Sequence, residues 1–194
     1  MEIAPNFTEH QWKVLTFRGK QDWVVGIAAL RRRLEQRFIK PAHGLLRFKK
    51  SGFAILALDC LLVETLEQFR EGVGKTPYVK RGGRRFLASE DYFVAFLTSA
   101  YFGPGFDPNT AKLFYKTIRC GILHQAEVEA SSLVRRSGPV VKLSSDGRGI
   151  VVNPVEFHKR IEAAFNRYLV NLRSGVDPAL RQNFRTKMDY IARV

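Results

Sequence analysis

Residues 51–70 read SGFAILALDCLLVETLEQFR. Ser51 is a helix-capping residue type, and Phe53, Ala54, Ile55, Leu56, Ala57 and Leu58 follow it without a polar interruption. An apolar run that goes round the whole circumference of a helix leaves no face for water. A helix of about 52–70 is therefore expected at the centre of the fold. Two carboxylates, Asp59 and Glu64, break the run. A buried carboxylate needs a cation or hydrogen-bond donors, so each is a candidate partner for an interior Arg, with solvent exposure the simpler expectation for Glu64.

Amphipathic segments surround this centre. Trp23, Ile27, Leu30, Leu34 and Phe38 recur at spacings of three and four, which predicts a helix over about 22–38, closed by Pro41 and Gly44. Upstream, Thr8-Glu9-His10-Gln11 fits a capping box for a short helix of about 9–17 ending near Gly19, with Phe7 placed to staple onto Trp12. Ser89, followed by Glu90 and Asp91, starts a helix to about Tyr101. Asp107-Pro108, Asn153-Pro154 and Asp177-Pro178 each set a capping acceptor before a proline at the first helical position. The helix of about 154–173 is expected to bury Phe157, Ile161, Ala164, Phe165, Tyr168 and Leu172, and the last one Leu180, Phe184, Met188 and Ile191. Tyr78 to Phe86 reads as a hairpin turning at Gly82-Gly83, and Val140-Val141 with Ile150-Val151-Val152 as a second. The expected fold is mainly α: a bundle of six or seven helices with one or two small β-hairpins. It forms a single domain over 1–194, with 1–19 as an N-terminal extension, 139–153 as a hairpin insert and 177–194 as a C-terminal helix.

Composition narrows the function. The chain has 194 residues, 45% of them hydrophobic and 26% charged, with 15 Gly and 8 Pro, which excludes disordered and collagen-like chains. Cys60 and Cys120 are the two cysteines, so there is no disulfide framework and no four-cysteine zinc site. MEIAPNFTEH lacks a cationic start followed by an apolar core, and the longest apolar run, Phe53 to Leu58, is far short of a membrane span. A cytoplasmic protein with no membrane partner is expected.

The net charge of +14 is clumped. Residues 31–50 contribute +7, with Arg31, Arg32, Arg33 and Arg37 on or near the wet side of their helix. Residues 75–85 contribute +5, through Lys75, Lys80, Arg81, Arg84 and Arg85, with no acid. Arg outnumbers Lys 20 to 12, and the guanidinium fork matches phosphate oxygens two at a time. Two separated basic windows point to a polyanion, with RNA or another nucleic acid the first choice. The residues expected to hold it are Arg31, Arg32, Arg33, Lys80, Arg81, Arg84 and Arg85.

Most catalytic chemistries are missing. No phosphate-cradling glycine loop and no Gly-x-Ser-x-Gly elbow occurs. His10, His43 and His158 have no metal-ligand spacing with a second His or Cys. His158, in the first turn of its helix, reads as a surface residue. No metal and no cofactor is expected. Cys60 and Cys120 sit in apolar helices, where core packing is the expected role. What remains is FYKTIRCGILHQ, residues 114–125, in which Arg119 and His124 enclose four residues. An Arg can hold a scissile phosphate and stabilise charge on its oxygens, and a His can exchange a proton near neutral pH. Together they suffice to cut RNA without metal, by attack of the ribose 2′-OH on the adjacent phosphorus.

Arg-x4-His in a basic helical chain resembles the HEPN family of helical ribonucleases. That resemblance implies a dimeric, metal-independent endoribonuclease with Arg119 and His124 catalytic, serving as a toxin or in antiphage defence. Two positions depart from the family pattern. Cys120 stands where the family often carries Asn, Asp or His, and Ala126 stands where toxins paired with nucleotidyltransferase antitoxins often carry Tyr. Five residues along an unbroken helix rotate about 140° and rise about 7.5 Å. Arg119 and His124 therefore converge only if Gly121 breaks the helix or if two chains pack across a two-fold axis into a composite site, as the resemblance implies. Glu127 is placed to orient the His124 ring if the helix continues, and Glu129 follows it. Two other readings stay open. One is a nucleic-acid-binding helical module without catalysis, in which Arg119 pairs with Asp59 or Glu64. The other is an adaptor whose basic face meets an acidic protein.

Overall fold

A computed structural model describes residues 1–125, 127–128 and 131–194. In chain order the elements are β1 (Glu2–Ala4), β2 (Phe7–Thr8), α1 (Glu9–Lys13), α2 (Lys20–Leu34), a π-helical turn (Glu35–Ile39), α3 (Lys40–Leu45) and α4 (Gly52–Glu71). Then come β3 (Tyr78–Arg81), β4 (Arg84–Leu87), α5 (Ser89–Leu97), α6 (Pro108–Phe114), a second π-helical turn (Tyr115–Arg119) and α7 (Cys120–Gln125). The chain finishes with β5 (Leu133–Val134), β6 (Val141–Leu143), β7 (Ile150–Val152), α8 (Pro154–Ser174) and α9 (Pro178–Ala192). Counting each helix interrupted by a π turn as one, the described residues form seven helices, mainly α as expected.

Helix α4 is the centre the apolar run demands, with α8, α5, α9 and α3 packed around it. Its Ile55, Leu56, Leu62, Val63, Leu66 and Phe69 are fully or almost fully buried, each such aliphatic or aromatic side chain stabilising the fold by roughly 1.5–3 kcal/mol. Ser51 stands at the N-cap, but its hydroxyl donates backwards to the Leu45 and Phe48 carbonyls and so ties α3 to α4. Aromatic side chains gather in two groups. Phe102, Phe106, Phe114 and Phe157 pack together, Phe114 and Phe157 stacked at 4.9 Å. Trp12, Phe17, Trp23, Phe69 and Phe184 form the second group and bring the N-terminal segment onto α9. There the Trp12 indole N–H donates to Asp189 at 2.7 Å.

Several boundaries differ from the sequence expectation, each for a local reason. The Thr8–Gln11 capping box forms, yet α1 stops at Lys13 instead of reaching residue 17. The Asp22 carboxylate accepts the backbone N–H groups of Thr16 and Phe17 and the Thr16 hydroxyl, offering them partners outside a helix. Pro41 does not close α2, because the helical path continues through it to Leu45. In the intervening π turn the Lys40 N–H reaches back five residues to the Glu35 carbonyl, and this wider ladder absorbs the residue without an N–H. Helix α5 ends at Leu97, where the Thr98 and Ser99 hydroxyls take the Val94 and Phe96 carbonyls.

The second hairpin is larger than expected. Strands β6 and β7 are antiparallel, and β5 joins β7 in parallel, making a three-stranded sheet of order β5-β7-β6. A further small ladder, β1 with β2, lies at the N-terminus, its Ile3, Ala4 and Phe7 inside the core. Among the described residues, no helix is long and apolar enough to cross a membrane.

Candidate nucleic-acid interface

The Tyr78–Leu87 segment is the hairpin its glycines predict. Gly82 and Gly83 both have positive φ, 54° and 79°, in the turn between β3 and β4. The register sets Lys80 opposite Arg85 and Arg81 opposite Arg84, so four cations form two like-charge pairs at the tip. Like charges directly across a ladder repel, and a two-stranded ribbon has little stability of its own. Asp91 pairs with Arg81, and the Arg85 guanidinium lies 4.6 Å from the centroid of the Tyr78 ring. Tyr78, Phe86 and Leu87 remain exposed beside these cations. Exposed rings interleaved with Arg and Lys are the composition of a surface that stacks bases and neutralises phosphates.

The root of the hairpin is held firmly. The Lys187 ammonium donates at 2.6 Å to both the Gly74 carbonyl and Gln68 Oε1, and burial lowers its pKa to about 8. Glu64 gathers the rest. Its Oε1 accepts the hydroxyls of Thr76, just before β3, and of Ser89, just after β4. Its Oε2 lies 3.7 Å from the Arg119 guanidinium. Glu64 is thus not left to solvent, as the sequence suggested, but links both ends of the basic hairpin to the Arg of the Arg-x4-His motif. A cleft of about 380 Å³ opens beside it, lined in part by Glu64, Lys75, Thr76 and Tyr78.

Arg119 closes the second π turn. That turn follows a local weakness in the ladder, because the Thr117 hydroxyl bonds back to the Leu113 carbonyl four residues earlier while accepting from Ser132. The irregularity therefore ends at Arg119, ahead of Gly121. Gly121 does not break the helix, and α7 runs regularly from Cys120 to Gln125. The Arg119 side chain is 18% exposed, lies over the Tyr115 ring and faces Glu64 on α4. His124, one turn and a half further on, is exposed. One chain thus turns the two motif residues to different sides. Glu127 lies beyond the end of α7 and is exposed, so it is not on a continuing helix with His124. Ala126 and Glu129 fall outside the described residues.

The first basic window divides. Arg33 is drawn inward, donating to the Ile3 carbonyl, and burial brings its pKa down to about 10. Arg31 contacts Glu35 and Asn166, both at 3.4 Å. Arg32 is exposed near the Phe7 ring. Part of this window therefore holds the N-terminal ladder and α8 in place, whereas Lys80, Arg81, Arg84 and Arg85 all stand in solvent.

One histidine expectation needs correction. His158 is not a surface residue, because its side chain is 0% exposed and its Nδ1 lies 2.9 Å from Oδ1 of the equally buried Asp59. Asp59 thus takes a histidine rather than an Arg as its partner. Burial raises the Asp59 pKa. For His158 burial acts downward, but the hydrogen bond and charge of Asp59 prevail and hold its pKa above the ordinary value. The sequence did carry a signal for this. His158 lies three residues before Ile161 and seven before Phe165, on the buried stripe of α8. In space, although no sequence spacing announced it, His43, His158 and Glu162 bring ligand atoms within 4.8 Å of one another. Cys60 is buried, and burial pushes its thiol pKa upward, consistent with a packing role. Comparison of the chain with protein-family models, with curated proteins and with solved structures finds no match in any of the three.

Proposed function

We propose that this protein binds RNA along its basic hairpin and cleaves it, without metal, as an endoribonuclease of the HEPN type. The observation that carries the reading is the Glu64 carboxylate, which joins the hairpin's two ends, through Thr76 and Ser89, to Arg119. A strand held by Lys80, Arg81, Arg84 and Arg85 then runs from a surface anchored at the motif's own cation. In the reaction His124 takes the proton of a ribose 2′-OH as its oxygen attacks phosphorus. Arg119 stabilises the charge on the phosphoryl oxygens. The bond from phosphorus to the 5′-oxygen breaks, and the leaving oxygen takes up a proton, yielding a 2′,3′-cyclic phosphate and a 5′-OH. Because Arg119, at the end of the π turn, and His124, on α7, face different sides of one continuous helical path, the reading places the working site between two copies related by a two-fold axis.

A second reading is binding without cleavage. The coverage of Arg119 by Glu64 and Tyr115 favours it, since a cation so engaged also serves as a structural ion pair. One experiment separates the two. RNA is incubated with the protein in EDTA, and the products are examined for cyclic phosphate ends. Cleavage by the wild type that is lost in His124→Ala supports the ribonuclease. Salt-sensitive retention of intact RNA by both proteins overturns it in favour of the binding module.

A further inference from the structure

On the side of the core where α3 and α8 meet α4, a second chemical group stands apart from the Arg119 motif. His158 Nδ1 is engaged by Asp59 at 2.9 Å, leaving Nε2 to point at Glu162 Oε1, 3.5 Å away. That Nε2 is buried and makes no hydrogen bond. The same Glu162 oxygen also lies 3.4 Å from His43 Nδ1. A buried imidazole nitrogen that makes no hydrogen bond while lying 3.5 Å from a carboxylate oxygen is an unsatisfied arrangement, and a cation bound between them would satisfy both atoms.

We infer that His43, His158 and Glu162 form a binding site for a single divalent transition-metal ion, with zinc the best fit. Two imidazoles and one carboxylate are a familiar donor set for zinc that leaves a fourth position open to water. In tetrahedral coordination with bonds of about 2.0–2.1 Å, neighbouring ligand atoms lie about 3.3 Å apart. Two edges of this triangle already measure 3.4 and 3.5 Å, and the third is no longer than 4.8 Å. Asp59 occupies the supporting position such sites require, orienting the ring through the nitrogen that does not bind the ion. The charges balance as well, because two carboxylates, Asp59 and Glu162, match a +2 ion. His158 and Glu162 sit four residues apart on one face of α8, and the π turn before α3 sets the phase that brings His43 to them. A cleft of about 230 Å³ lies beside Glu162, lined also by Glu35, Lys40 and Asn166, and the exposed His43 side chain leaves the group open to solvent.

The site is independent of the proposed cleavage, which is tested in EDTA. Its own test uses tag-free protein stripped with a chelator and titrated with Zn²⁺ alone against a chromophoric competitor. Co²⁺ serves as the spectroscopic substitute. One equivalent of Zn²⁺ is expected to bind, the Co²⁺ form showing the strong visible bands of four-coordinate cobalt. His43→Ala and Glu162→Gln alter partly exposed side chains, and circular dichroism checks that they fold. Each is expected to weaken Zn²⁺ by at least about a hundredfold, and Asp59→Asn by about 10–100-fold. Added Zn²⁺ should raise the melting temperature of the wild type and leave that of Glu162→Gln unchanged. Absence of stoichiometric Zn²⁺ uptake, or uptake equally tight in folded His43→Ala and Glu162→Gln, overturns the inference and leaves a proton as the group that satisfies this cluster.

Discussion

Replacing all four tip cations of the hairpin by threonine tests the proposed RNA surface with two readouts that move differently. Lys80, Arg81, Arg84 and Arg85 are exposed and paired across the ladder with one another. Each cation that neutralises a phosphate of a single strand contributes about 0.7 to the slope of log affinity against log salt. Four of them give about 2.8, so a rise from roughly 50 to 200 mM salt weakens binding about fiftyfold through the hairpin alone. The quadruple variant should lose that share of the slope, and most of its affinity at low salt. Stability should behave otherwise. Threonine is a good strand residue, two like-charge cross-strand pairs disappear, and the exposed Arg81–Asp91 ion pair is worth little. The melting temperature should therefore hold or rise while binding falls. Filter binding or fluorescence anisotropy with a single-stranded RNA, repeated across a salt series, gives the slope, and thermal unfolding by circular dichroism gives the stability. An unchanged slope with intact affinity would refute the hairpin as the interface. A collapse of stability would refute the argument that its charges are held against their own repulsion.

Glu67, almost fully buried and paired with Arg70 at 2.5 Å, has its pKa raised by burial to about 6 from the ordinary 4.5. The folded chain then binds that proton more tightly than the unfolded one. Its contribution to stability is fully present below about pH 4.5 and falls by about 2 kcal/mol as pH rises through about 6. Chemical denaturation of wild type and Glu67→Gln across this window should show the loss in the wild type alone; parallel profiles would count against it. Asn153 caps α8 through the Val155 and Glu156 N–H groups and also donates to the Gly138 carbonyl at 2.9 Å. Asn153→Ala should cost about 1–2 kcal/mol, lowering the melting temperature by about 2–8 °C in a chain of this size, and a shift below 1 °C by calorimetry would show the cap to be idle.

The sequence by itself determined the helical architecture, because periodicity and capping are local. The run from Phe53 to Leu58 announced the central helix, and Asp107, Asn153 and Asp177 before their prolines marked three helix starts correctly. Gly82-Gly83 marked the hairpin, and the charge windows marked the basic surface. Boundaries set by side chains several residues away were not visible: the Asp22 carboxylate that ends α1, the wide turns that let a helix pass Pro41, and the Thr117 back-bond before Arg119. Only the tertiary structure decided which charged groups meet. Glu64 with Arg119 and Asp59 with His158 join residues 55 and 99 positions apart, and Glu162 meets a histidine 119 residues upstream. A one-dimensional pattern records which face of an element is apolar. It carries no information about the depth at which two such faces meet, and that depth governs whether a carboxylate or an imidazole stays in water or must find a partner.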